Sequence, residues 1–191
     1  MSKLRLHIST SLDGYVAGPH QSENNPLGEG GEALHEWAFE LRAFREPHGM
    51  KGGTVNASTP SVEEELANVG AEIMGRGKFG PPGGGPWGAD PWRGWWGDNP
   101  PFHKPTFVLS HHQREPLTLS DTTFIFVTDG IESALEQARQ AARGKDVIRS
   151  AAVPMRSTDT SSPGSSMRSS CTSFRSFSAV ALVCSRASAQ D

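Results

Sequence analysis

Three short stretches carry residue types that can do chemistry, and each stands where the chain leaves an apolar run. Asp13-Gly14 lies in Ser9 to Pro19, STSLDGYVAGP, after the alternating Lys3-Leu4-Arg5-Leu6-His7-Ile8. Gly75-Arg76 follows Ala71-Glu72-Ile73-Met74, and Ser110-His111-His112 follows Thr106-Phe107-Val108-Leu109. A carboxylate just past the C-terminal edge of a strand stands where open α/β sheets bind ligands. A guanidinium beside a helix start could hold a phosphate, and a hydroxyl with an imidazole at a strand end could receive one. Each also has a plain reading: Asp13 only caps its turn, and Gly75-Arg76 is a turn with a surface arginine. The adjacent histidines point different ways, so as a pair they are poor metal ligands.

The elements that must position these residues are legible from periodicity. Residues 3–8 alternate as a half-buried first strand. Leu34, Trp37, Ala38, Leu41 and Phe44 recur at helical spacing and predict an amphipathic helix of about three turns. Ser61-Val62-Glu63-Glu64 after Pro60 reads as a capping box opening a second helix through Leu66 and Val69. Ala71–Met74, Thr106–Leu109 and Thr123–Thr128 read as buried strands. Asp129 is the expected N-cap of a helix that carries Ala134, Leu135, Ala138 and Ala142 inward and stops at Gly144. Lys145-Asp146-Val147-Ile148 begins a further strand. The succession predicts an α/β fold with a mostly parallel central sheet flanked by helices.

Between Phe79 and Pro105 the chain is Gly, Pro and Trp, which excludes a helix or a central strand. Gly83-Gly84-Gly85 follows no strand and lacks a P-loop lysine. Trp87, Trp92, Trp95 and Trp96 either stack on a ligand ring or pin the loop to the core or to a second subunit.

Composition narrows the partners. The chain has 191 residues, a net charge of −3 and a pI near 6.2, so nothing suggests nucleic acid or an anionic membrane surface. No basic n-region precedes an apolar run, which gives the cytoplasm as the expected location. Cys171 and Cys184 form no zinc spacing, so no metal is expected.

STSLDGYVAGP, ANVGAEIMGRGKF, PTFVLSHH and FVTDGIESALEQARQAARGKDV together resemble the reductase domain of the bifunctional riboflavin-biosynthesis deaminase/reductase, the RibD C-terminal domain. More closely they resemble its stand-alone relatives, the dihydrofolate-reductase-like proteins. The resemblance covers residues 1 to about 148. It implies a dihydrofolate-reductase-like sheet with NADPH bound across the C-terminal strand ends, a homodimer, and hydride transfer to a small heterocycle. That substrate would be 5-amino-6-ribosylaminouracil-phosphate-like or pterin-like. By resemblance, Asp13 binds or protonates substrate, and Gly14, Val16 and Ala17 belong to the mobile loop over the nicotinamide. Gly75 and Arg76 meet the cofactor phosphates, and Ser110 and His111 receive the adenosine 2′-phosphate. Relatives often carry arginine where His111 stands, which leaves the choice between NADPH and NADH open. A non-catalytic nucleotide- or ligand-binding module on the same fold is the alternative.

The resemblance stops near Ile148. Relatives continue with a glycine-rich turn, a helix and two closing strands, whereas residues 149–191 are rich in Ser and Arg with no sustained period. By composition this is a disordered tail. Read one base out of register from about Arg149, the same stretch can spell the family's ending, which points to a frameshift. Met155 before Arg156 then permits only Ala or Glu, as does Met167 before Arg168. If the chain is made as it stands, residues 1–148 form an incomplete reductase domain, and an inactive product is the third reading.

Overall fold

The computed structural model describes residues 2–81 and 84–150. The Ser/Arg-rich stretch from residue 151 onward, with nearly all of the expected frameshift, lies outside them, as does Gly83. Among the described residues there are six strands: β1 Leu4–His7, β2 Val69–Gly75, β3 Pro105–Leu109, β4 Leu117–Leu119, β5 Thr122–Val127 and β6 Asp146–Ser150. They form one sheet in the order β1-β6-β2-β3-β5-β4. All neighbours pair parallel except β4 and β5, an antiparallel hairpin at the edge. The fold is thus α/β with a mostly parallel sheet, and β6 reaches Ser150, the last described residue.

Ala71, Glu72, Ile73 and Met74 are all buried, because β2 is an inner parallel strand covered on both faces. One face meets helix α5, Ile131–Ala142. There Ala134, Ala138 and Ala142 pack on Ala71, Ile73, Phe107, Val127 and Val147. Small residues let this helix lie close to the sheet: a Cβ on Gly70 would stand 2.6 Å from the Ala142 carbonyl oxygen. The opposite face is aromatic, with Phe79, Phe102, Phe124 and Phe126 beside Met74 and Val108. Trp87, Trp92 and Trp96 of the long Gly/Pro loop pack against this cluster. Indole donors fix the loop, Trp92 to the Phe79 carbonyl at 2.8 Å and Trp87 to that of His112 at 3.0 Å. Of the two sequence expectations for these indoles, pinning the loop to the core describes Trp87 and Trp92.

The helix expected over Leu34–Phe44 is instead a series of single turns. These are a 3-10 turn at Gly31–Leu34, α1 Glu36–Phe39, α2 Arg42–Arg45 and a 3-10 turn at Glu46–His48. The break falls at Leu41, extended and fully buried. Here backbone groups bond a distant segment instead of the helix: Arg42 N–H donates to Thr54 at 3.0 Å, and Thr54 N–H to Glu40 at 2.7 Å. Helix α3, Thr59–Leu66, starts before the expected capping box, with Pro60 in its first turn, where the missing N–H costs little. Ser61 is therefore interior and caps nothing. Asn68, with φ of 57°, turns the chain, so Val69 opens β2 rather than closing a helix. The N-cap of α5 is Gly130, not Asp129, and makes no side-chain cap bond.

Candidate functional site

Parallel pairing brings the C-terminal ends of β1, β6, β2, β3 and β5 to one edge of the sheet. Gly75 pairs with Leu109 and Leu109 with Val127, so Arg76 and Ser110 emerge side by side. Ile8 and Ser9 leave β1 along the same edge. β6 returns between β1 and β2, and a cavity of about 490 Å³ opens over this part of the sheet. Its apolar wall comes from Val62 and Leu66 of α3, Trp37, and Trp95, Trp96 and Phe102 of the long loop. Its polar floor includes Glu72, Lys78, Lys104, His35 and Ser150.

Glu72 is the group that sequence reading missed. Strand alternation turns it to the aromatic face, where it is only 5% exposed. A buried carboxylate needs partners, and two arrive. Lys78 Nζ stands 3.3 Å from Oε1 because the single turn of α4, Arg76–Phe79, folds the chain back over β2. The Ser150 hydroxyl donates to the same oxygen. Glu72 pairs in register with Thr106 on one side and Ile148 on the other, so Lys104 and Ser150 stand two residues from its cross-strand neighbours. Burial, and then the charge of Lys78, pushes the His35 imidazole below its ordinary value. Burial also lowers Lys104, although Glu72 and Asp121 oppose the shift. The signal in the sequence was an acidic residue inside an otherwise apolar strand, AEIM.

Arg76 faces a second, smaller cavity of about 220 Å³ that includes Trp87, Trp92, Glu23 and Asp90. Its guanidinium carbon lies 3.8 Å from the centroid of the Trp87 ring, and that of Arg114 lies 4.8 Å from the same ring. Burial and the neighbouring Arg114 charge both lower the Arg76 pKa. Arg76 Nε is buried and has no hydrogen-bond partner among the described residues. Gly77 and Lys78 line the large cavity while Arg76 lines the small one, so α4 is a wall between them.

The other sequence candidates divide. Val16 lines the large cavity, and Ala17 is half-buried. Asp13 is exposed and accepts a hydrogen bond from the Ser11 hydroxyl, whose oxygen accepts the Tyr15 N–H at 2.9 Å. Its carboxylate is thus bonded within its own turn, and it is not among the residues lining the cavity. Gly14 sits at φ of +87° with open space around it. Gly75 ends β2, and its neighbour Arg76 is brought to the edge. Ser110 is buried, with its hydroxyl donating to the His112 carbonyl at 3.0 Å and accepting the His112 N–H at 3.1 Å. His111 is exposed beside it. Among the described residues no cluster of His, Cys, Asp or Glu could hold a metal ion, and no helix is long and apolar enough to cross a membrane. No model of a known protein family and no curated protein matches the chain.

Proposed function

We propose that the chain is a dihydrofolate-reductase-like enzyme of the RibD C-terminal type, an NADPH-dependent reductase of a small heterocycle acting in the cytoplasm as a homodimer. The observation that carries this reading is the pair of cavities on either side of α4. Arg76 stands in one, and the aromatic-walled cavity with its buried carboxylate forms the other. An orphaned, buried guanidinium nitrogen fits an anionic group. Arg76, with Arg114 beside it, would hold a cofactor phosphate, and the exposed His111 follows β3 at the same edge of the sheet. The cofactor, when bound, supplies a hydride for an electrophilic C=N or C=O carbon.

The chain's own residues do the rest. Tryptophan and phenylalanine walls exclude water and orient a flat ring. Lys78 and Glu72 form the hydrogen-bonded pair closest to hand for orienting a polar edge of substrate, and an ammonium there can return a proton to the reduced heteroatom. Val16 carries the 13–17 loop to the mouth of the same cavity.

A non-catalytic nucleotide-binding module is the second reading, and the outward position of Asp13 favours it. NADPH oxidation with a pyrimidinone or pterin substrate tests the first reading. Stabilisation of the melt by NADPH without turnover would leave only the second.

A further inference from the structure

We propose that His103 is a proton-operated latch on the large cavity: as an imidazolium it holds the 41–54 loop against the sheet, and on losing its proton it lets that loop swing away. The inference needs no particular substrate or cofactor and stands apart from the reductase reading.

The latch joins two stretches that line the cavity. Phe44, Pro47 and His48 come from the 41–54 loop, and Phe102 and Lys104 from the end of the long Gly/Pro loop. His103 lies between Phe102 and Lys104, with Nε2 3.0 Å from the Pro47 carbonyl oxygen. Its base is fixed at two points. The backbone, at a φ of 52°, donates its N–H to Thr122 Oγ1 at 3.0 Å, a fully buried hydroxyl that itself donates to the Pro100 carbonyl at 3.2 Å. The ring is aimed by Asp121, whose Oδ1 lies 2.7 Å from Nδ1. The loop on the other side is closed on itself. Arg42 N–H donates to Thr54 at 3.0 Å, Thr54 N–H to Glu40 at 2.7 Å, and Arg45 Nε to the Lys51 carbonyl at 3.2 Å. It can therefore turn as a unit about its base, where α2 packs on α3, without breaking these bonds.

The protonation state decides whether the latch holds. A neutral imidazole has one N–H and one lone pair. The hydrogen stays on Nδ1, which faces a full carboxylate charge, so the Nε2 lone pair confronts the Pro47 carbonyl oxygen and the contact turns repulsive. The lost proton passes to solvent, which reaches a side chain that is 38% exposed. Pro47 and then Asp121 favour the imidazolium, and Lys104 opposes it. The charged neighbours of Pro47 are engaged within their own loop: Glu46 lies 4.0 Å from Arg42, and His48 Nδ1 lies 2.7 Å from the Phe44 carbonyl.

The test is the distance between spin labels at Lys51→Cys and Thr118→Cys in the full chain, with Cys171 and Cys184 changed to serine. Pulsed electron paramagnetic resonance would follow it between about pH 5 and pH 9. The expected result is one narrow distribution at the acidic end and a longer component above the titration, the released-to-latched ratio rising by roughly threefold to tenfold. His103→Gln should show the longer component at every pH, and Asp121→Asn should move the transition to lower pH. A distribution that ignores pH while His103 is present overturns the inference, as does a pH response that persists in His103→Gln. If His103→Gln does not melt cooperatively, Asp121→Asn decides, and an unmoved transition there overturns the latch. The readout involves no turnover, so failure of NADPH oxidation bears on the reductase reading alone.

Discussion

Arg76 sits over the face of Trp87, 3.8 Å from guanidinium carbon to ring centroid, and this contact fixes where its remaining donors can point. A planar guanidinium can stack and still present N–H groups at its edge; an ammonium cannot do both. Arg76→Lys therefore keeps the charge and loses the aim. NADPH affinity, followed by fluorescence titration, should fall by about tenfold, equivalent to ~1.4 kcal/mol, with the unfolding midpoint nearly unchanged.

His103 ties three segments together, with Nδ1 2.7 Å from Asp121 and Nε2 3.0 Å from the Pro47 carbonyl. Both nitrogens can donate only in the imidazolium form. The Pro47 bond, and then Asp121, accordingly raise its pKa in the folded chain. A raised folded-state value gives stability that is fully present below the ordinary histidine value of about 6.5 and is lost as pH climbs through the folded-state value. Urea midpoints should thus decline from mildly acidic pH to above neutrality. In His103→Gln that part of the decline should vanish. The pair is solvent-exposed, so the effect should weaken in high salt.

Breaking the buried pair should cost more than removing it. Glu72→Met strands the Lys78 ammonium against the aromatic wall, at an expected cost of about 3 kcal/mol. Lys78 keeps 27% of its side chain accessible, which holds the loss at the lower end of the usual range. Adding Lys78→Met should recover much of the stability while abolishing activity, so a double-mutant cycle by urea unfolding would show strong coupling. Additive losses would contradict the pairing.

The contact between α5 and β2 allows no extra atom at residue 70. In Gly70→Ala the new methyl group would meet the Ala142 carbonyl at 2.6 Å, with backbone on the facing side and nothing flexible to give way. A loss of about 1–3 kcal/mol is expected from such overpacking, read from the urea midpoint at constant m-value.

Much of this architecture was written in local pattern. TFIFV and the alanine-spaced helix after it carry strong local periods, and both formed where the spacing put them. What escaped reading depended on partners far along the chain. Leu41 breaks a helical period because Thr54 takes the adjoining backbone bonds. β4 is only three residues long and gains its identity from β5. At the site, residues at strand ends, Arg76 and Ser110, were visible because parallel strands deliver their ends to one edge. Glu72 was hidden inside an apolar run, and Lys104 and Ser150 reach its vicinity through strand register rather than through any motif. Asp13 drew attention by its turn, and within that turn its carboxylate accepts the Ser11 hydroxyl.

The two ends of the sheet are unlike. β4 closes one with an antiparallel hairpin, while β1 at the other carries no further strand among the described residues, with Leu4 and Ile8 each at least 40% exposed. Backbone donors and acceptors along an uncovered strand act as a template for another strand. Among the described residues the sheet thus has two edges, β1 and β4, and the four-residue β1 with its exposed Leu4 is the longer template of the two.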